Sequence, residues 1–254
     1  MKKLILAIFY LFILNTSVLA LVEVDITRGN LDPLPIAVSP LYIEPGSKDV
    51  KQGDKIIKNI GEKISEVIEV NFRRSGLFNP LKKASFVQNP DIAHVKPRFE
   101  DWRLIKAQAL VTGKVNITDE KLRVEFRLWD VVAAKEMIAL AFSTTPDNWR
   151  RVAHIISDKI YQRLTGEKGY FDTRIIYVSE TGKKTQRYKK LAIMDQDGAN
   201  VKYLTLGNEL VLTPRFSPKN QLVTYLSYFR NRPRVYLLDI ETGVQEVVGD
   251  FPGM

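Results

Sequence analysis

The sequence predicts an α/β amino-terminal domain, built as a mixed sheet with two helices, followed by the first two blades of an all-β propeller. Three observations carry this reading. Apolar residues at helical spacing occur only ahead of Gly169, alternating segments joined by short turns lie between the two helical stretches, and a strand pattern starting near Arg174 recurs about one blade later. In the first copy Arg174-Ile-Ile-Tyr177-Val-Ser leads to Leu191-Ala-Ile-Met-Asp195, Gly198 and Val201-Lys-Tyr-Leu-Thr205. In the second, Leu222-Val-Thr-Tyr225-Leu-Ser leads to Val235-Tyr-Leu-Leu-Asp239, Gly243 and Glu246-Val-Val248. Matching landmarks lie 48, 44 and 45 residues apart (Tyr177 to Tyr225, Asp195 to Asp239, Gly198 to Gly243), within the roughly 40–50 residues of a propeller blade. Two such units do not close a ring.

The organisation expected is a signal peptide over 1–20, an α/β domain over 21–168 and a partial propeller over 169–254. Val22 to Ile26 alternates apolar and acidic positions and is followed by a loop containing Gly29, Asn30, Pro33 and Pro35. Ile36-Ala-Val38 reads as a short buried strand. From Asp54 to Arg74, Ile56, Ile57, Ile60, Ile64, Val67, Ile68 and Phe72 recur at helical spacing, and Gly76 after Arg73-Arg74 supplies a stop. Ala109 to Ile117, Leu122 to Val131 and Glu136 to Thr144 read as strands, with connections short enough for antiparallel hairpins. A second helix is expected from about Thr145-Pro146-Asp147 to Leu164, ending at Thr165-Gly166, with Trp149, Ala153, Ile156, Ile160 and Leu164 inward. Both helices then cover one face of the sheet. Beyond Gly169 only strands follow, and the second repeat opens with an extra segment, Leu212 to Ser217, that the first lacks.

Lys2-Lys3, an apolar run from Leu4 to Leu14 and Val18-Leu19-Ala20 fit a secretory signal cleaved after Ala20; an uncleaved anchor is the alternative. The chain has no cysteine, which removes disulfides, thiolate zinc sites and thiol nucleophiles. Without Lys2 and Lys3 the exported chain carries 36 basic and 29 acidic side chains. The excess is spread along the chain, as in an ordinary soluble surface rather than a nucleic-acid stripe. Two clusters, Lys183-Lys184 with Arg187 and Lys189-Lys190, and Arg230 with Arg232 and Arg234, fall between expected strands. They read as solvated hairpin loops, with an anion-binding patch as the alternative.

Catalytic constellations are missing from the sequence. There is no Gly-x-Ser-x-Gly elbow, no phosphate-cradling glycine loop and no histidine pair at zinc spacing. His94 and His154 are 60 residues apart, and His154 reads as a structural side chain at a helix-sheet margin. Asp195-Gln-Asp197-Gly198 begins like a calcium loop, but Ala199-Asn200-Val201 does not continue the ligand set, so a tight Asp-Gly hairpin is the better account. Glu100-Asp101 has nothing placing it in a cleft. No cofactor and no metal are expected. The Val22 to Ile26 segment is either an edge strand of its own domain or a free arm that adds to another protein's sheet through main-chain hydrogen bonds.

Several stretches resemble the TolB family, the periplasmic component of the Tol-Pal envelope system. They are Arg74-Ser-Gly-Leu-Phe-Asn-Pro-Leu81, Val111-Thr-Gly-Lys-Val115, His154-Ile-Ile-Ser-Asp-Lys-Ile160 with Leu164-Thr-Gly166, Thr173-Arg-Ile-Ile-Tyr177-Val, Pro214-Arg-Phe-Ser-Pro218 and Asp250-Phe-Pro252. The resemblance spans the signal to the last residue. It implies a non-catalytic, monomeric binding protein in which an α/β domain precedes a six-bladed propeller. It further implies that the propeller mouth holds the outer-membrane lipoprotein Pal, and that the mature amino-terminal segment engages the inner-membrane protein TolA. The membrane is reached only through such partners, other envelope proteins among them, and outer-membrane integrity and constriction at division are the roles served. The arm carried over by position is Leu21, Val22, Glu23, Val24, Asp25, Ile26 and Thr27. The Pal-facing loop begins at Phe251 and Pro252, and Gly253 and Met254 depart from the polar residues usual there. Two other functions stay open on the residues: a secreted peptidase whose hydrolase domain a propeller gates, and an anionic-glycan binder using Lys183, Lys184, Lys189 and Lys190.

Overall fold

A computed structural model describes residues 32–218, 220–229 and 232–251. The chain divides into two compact units, one through Gly169 and one from Tyr170, and each is treated by itself.

The first unit is organised around β1 (Leu34–Val38), where Ile36, Ala37 and Val38 are wholly buried. A strand buried on both faces reads as a continuous apolar run, and β1 accordingly lies between two parallel neighbours, β5 (Phe78–Pro80) and β6 (Ala109–Ile117). The two-residue β2 (Tyr42–Ile43) also runs parallel to β6, further along it. From β6 the chain turns back twice, through β7 (Leu122–Asp130) and β8 (Lys135–Thr144), giving the mixed order β5-β1-β6-β7-β8. The three expected strands and their hairpins are therefore present. Leu122, Val124, Phe126 and Leu128 are buried on one face of β7, as strand periodicity requires.

That face is covered by α1 (Ile60–Ser75) and, as numbered along the chain, α4 (Trp149–Thr165), which pack on each other and on the sheet. Their inward stripes are Ile60, Ile64, Val67, Ile68 and Phe72, and Trp149, Val152, Ala153, Ile156, Ile160 and Leu164. Each of the valine, isoleucine, leucine and phenylalanine side chains among them contributes about 1.5–3 kcal/mol on leaving water. Phe78 of β5 locks the helices together, its ring 4.9 Å from that of Phe72 and 6.1 Å from that of Tyr161. Gly76 ends α1 at φ 73°, the left-handed geometry that glycine adopts without a Cβ penalty.

The structure starts α1 six residues later than the periodicity suggests. Val50–Gln52 and Lys55–Ile57 form a small hairpin, β3 and β4, which turns at Gly53 and Asp54. Ile56 is 60% exposed there and belongs to no helical stripe. Asn59, at φ 54°, turns the chain from β4 into the helix. The opposite face of the sheet also carries a layer that periodicity did not show. Two short helices, α2 (Pro90–Ala93) and α3 (Phe99–Leu104), set Trp102 against Ala37, Leu110 and Val131. The Trp102 indole donates to the Gln88 carbonyl oxygen Oε1 at 3.0 Å, so its polar edge is satisfied inside the cluster.

The second unit holds only strands. β9 (Arg174–Lys183), β10 (Gln186–Asp195) and β11 (Lys202–Tyr203) form a three-stranded antiparallel sheet. β12 (Val211–Phe216), β13 (Leu222–Phe229), β14 (Arg232–Asp239) and β15 (Gln245–Asp250) form a four-stranded one. The extra segment of the second repeat is thus a real strand, β12. Leu191 of the first sheet is buried with Val211, Val223, Tyr225 and Leu238 of the second, so the two blades share one apolar core.

Candidate partner-binding surfaces

Of the residues expected to bind partners, Leu21, Val22, Glu23, Val24, Asp25, Ile26 and Thr27 lie outside the described residues, as do Pro252, Gly253 and Met254. Phe251 follows β15 directly and is 41% exposed. Its ring lies over Gly249, where an added Cβ would come within 3.1 Å of it. The glycine provides the room for the aromatic ring on the end of the outer strand.

The basic clusters lie largely on strands, although Lys183 ends β9 and Lys184 falls in the hairpin turn between β9 and β10. Arg187, Lys189 and Lys190 lie within β10, and Arg232 and Arg234 within β14; Arg230 lies outside the described residues. Three of these cations, Arg187, Lys189 and Arg234, meet carboxylates across the sheet. Glu180 on β9 receives Lys189 at 2.7 Å and Arg187 at 2.5 Å, and its carboxyl is held below the usual range, first by the Lys189 hydrogen bond and then by that from Arg187. Arg234 pairs with Asp250 at 3.2 Å. Alternation places these charges on strand faces, where cross-strand carboxylates meet them. Without a knowledge of pairing register, they look like loop charges.

The two histidines and the Asp-Gly segment each have partners within the unit to which they belong. His94 stacks on Tyr42, with ring centroids 4.5 Å apart, and its Nδ1 lies 3.0 Å from the Pro90 carbonyl oxygen. His154 is buried beside Asn71 of the facing helix, Nδ1 to Nδ2 3.0 Å. Asp195, Asp197 and Gly198 form the hairpin turn: Gly198 N–H donates to the Asp195 carbonyl at 2.9 Å, and Asp197 Oδ1 accepts from Ala199 N–H at 3.1 Å. With that carboxylate engaged in its own turn, the segment reads as a hairpin rather than a cation loop.

A polar set in the second blade does stand out. Tyr225 is buried, stacks on Tyr236 at 5.5 Å and donates to Gln245 Oε1 at 3.2 Å. Burial, with the Glu209 carboxylate nearby, pushes its phenol up to about 12. Ser227, fully buried, donates to Glu209. These groups tie β13 to β14, to β15 and to the segment ahead of β12.

One surface of the first unit is missing from the sequence reading. A groove of about 420 Å³ lies over β6, β7 and β8 on the face away from α1 and α4, lined by His94, Val95, Arg123 and Arg127, where Arg127 donates to the His94 carbonyl at 3.1 Å. Its floor is small: Gly113, Ala139 and Ala141. A Cβ on Gly113 would sit 2.2 Å from the Glu125 carbonyl oxygen, so glycine is required where β6 and β7 approach. Charges line it in pairs, Lys114 with Glu44 at 2.6 Å, Arg123 with Glu125 at 2.9 Å and Arg127 with Glu136 at 3.3 Å. The Lys114 hydrogen bond holds Glu44 below the usual carboxylate range, and that same bond raises Lys114. Nothing in the sequence identifies β8 as the last strand of its sheet, so this surface emerges only with the pairing order.

An α/β domain with a helix-covered mixed sheet, followed by two propeller blades sharing a core, defines a two-part class of protein, α/β domain and propeller. Comparison with known proteins narrows it. A family model described as TolB amino-terminal domain matches residues 22–137, and one described as TolB beta propeller domain matches residues 161–254. The Tol-Pal system protein TolB of Pelagibacter ubique is 74% identical over 251 residues, covering 96% of this chain and 56% of its own length. The crystal structure of TolB from Acinetobacter baumannii superposes with a TM-score of 0.70 at 26% identity, covering 88% of this chain and 51% of that one. The chain belongs to the TolB family and spans about half the length of these relatives. No described helix is long and apolar enough to cross a membrane.

Proposed function

We propose that this chain is a periplasmic, non-catalytic component of the Tol-Pal system that joins the inner-membrane protein TolA to the outer-membrane lipoprotein Pal. The observation that carries the proposal is the 74% identity to a Tol-Pal system TolB over almost the whole chain. Leu21 to Thr27 serve as the TolA-binding arm, pairing as an added strand with Val22, Val24 and Ile26 in pockets. Phe251 to Met254 open the Pal-facing surface. Export is by the leader ending at Ala20, and the role served is outer-membrane integrity and constriction at division. Of the lysines in the polymer-binding alternative, Lys183, Lys184, Lys189 and Lys190, Lys189 already faces Glu180 and Lys190 lies over the Tyr203 ring. Deleting Leu21 to Thr27 tests the arm: TolA binding by calorimetry disappears while the helical circular dichroism of α1 and α4 stays. Unchanged TolA affinity would overturn the assignment.

A further inference from the structure

Arg174, where β9 begins, donates to Gln221 just ahead of β13, so the two hairpins of the second unit start together and turn at the same end. They differ in length. Tyr177 and Asp195 lie 18 residues apart, whereas Tyr225 and Asp239 lie 14 apart. The difference falls at the turn: beyond the tyrosine, β9 and β10 continue from Val178↔Leu191 to Lys183↔Gln186, while β13 and β14 stop at Phe229↔Arg232. Two extra residues in each strand lengthen the first hairpin by about 7 Å. Nothing flanks this extension among the described residues. β12 and β15 accompany β13 and β14 as far as Ser227 and Arg234, but β11 pairs only with Ala192 and Ile193. Every residue from Glu180 to Tyr188 is exposed.

The resulting finger, Glu180 to Lys190, carries five cations and one carboxylate. Glu180 takes Arg187 and Lys189, and Lys190 lies over the Tyr203 ring. Lys183 and Lys184, at the turn, have no ion pair among the described residues. We propose that this finger meets an acidic patch of the lipoprotein that docks on the propeller, and that its two turn lysines steer the encounter. The inference rests on the reading of Phe251 to Met254 as the start of the Pal-facing surface. Phe251 leaves β15 at the turn end of the hairpins, because Asp250 before it pairs with Arg234 near the start of β14. Charges of one sign at the rim of a docking surface act chiefly on the rate of association.

Other purposes fit these lysines less well. Charged side chains guard open strand edges against pairing, but Arg187 and Lys189 already stand along this ribbon, and guarding does not call for two more cations at the turn. Attachment to a polyanion strengthens with the number of charges neutralised, and only two of the five cations here are without a partner. A second copy would bring two fingers of the same sign together.

The test follows association of lipid-free Pal with the full chain by stopped-flow fluorescence at low salt. Lys183→Glu with Lys184→Glu is expected to slow association about tenfold and to leave dissociation within about twofold, the difference disappearing as salt shortens the screening length to about 3 Å. Lys183→Arg with Lys184→Arg associates as the parent does. Both lysines are acetylated readily in the free chain and protected in the complex. Equal association rates for the parent and the glutamate form overturn the proposal and leave the Pal assignment standing, whereas a parent that does not bind Pal overturns both. Lysines already protected in the free chain assign the finger to a contact within the chain, or to a second copy if protection grows with concentration, and overturn the proposal. So does a glutamate form that loses heparin binding but keeps the parent's Pal association, which assigns the finger to an anionic polymer.

Discussion

Asn71 on α1 donates its side-chain amide to the Ser157 hydroxyl on α4 at 2.9 Å, inside the interface between the two long helices. The Ser157 hydroxyl in turn donates to the Ala153 carbonyl, and His154 Nδ1 lies 3.0 Å from the same Asn71 amide. A polar contact of this kind sets the rotation of two apolar stripes that could otherwise slide. Asn71→Ala leaves buried polar groups short of a partner, at a cost of about 1–3 kcal/mol. Urea unfolding of the first unit should show that loss, while the second unit is unaffected.

Gly61 lies where α1 meets the segment after β1, and its carbonyl accepts from Leu41 N–H at 3.2 Å. A Cβ there would fall 2.0 Å from the Leu41 carbonyl oxygen, so the backbone itself must move. Alanine improves helix propensity by about 1 kcal/mol at most, whereas forced overpacking costs about 1–3 kcal/mol or more. Gly61→Ala therefore lowers the thermal midpoint of the first unit, and an increase would show that propensity prevails.

Tyr225 gives the second unit an alkaline limit. Its phenol is raised to about 12 in the folded chain, against about 10 when unfolded. The neutral form is favoured in the fold, so this contribution is complete below pH 10 and is lost as pH rises from 10 to 12. The loss is on the order of 3 kcal/mol at the upper end. Stability measured from pH 9 to 12 should fall less steeply in Tyr225→Phe than in the parent.

The Glu44–Lys114 pair sets the opposite dependence for the first unit. Glu44 is lowered and Lys114 raised by their shared hydrogen bond. The carboxylate term is present above the ordinary carboxylate range and is lost as pH falls through the lowered folded value. The ammonium term is lost only as pH rises beyond the raised lysine value. Both side chains are part exposed, so the pair contributes about 1 kcal/mol or less. Glu44→Gln should differ from the parent at pH 7, and the difference should shrink as pH falls below the ordinary carboxylate range and through the lowered Glu44 value.

What the sequence shows best is what repeats or alternates. The strands β6 to β8, the stop of α1 at Gly76 and the extra strand β12 follow from periodicity and turn residues. Ile56 and Ile57 extend the isoleucine spacing of α1 backwards, which hides its true start, although Gly53 turns them into a hairpin. The helices α2 and α3 have four and six residues, too few to show a period. Arg187, Lys189 and Arg234 were misplaced because a charged stretch reads alike in a loop and on a solvent-facing strand. The groove and the open edge of β8 depend on which strand is last, a property of pairing order that no local pattern contains.

The arm is tested most directly by calorimetric titration of TolA into three forms of the chain: the parent, Val22→Asp with Val24→Asp and Ile26→Asp, and Glu23→Gln with Asp25→Asn. The account predicts that the aspartate form loses TolA binding, while the amide form keeps it within a few-fold. Binding that survives the three aspartates would contradict the arm's role and, with it, the proposed link between the two membranes.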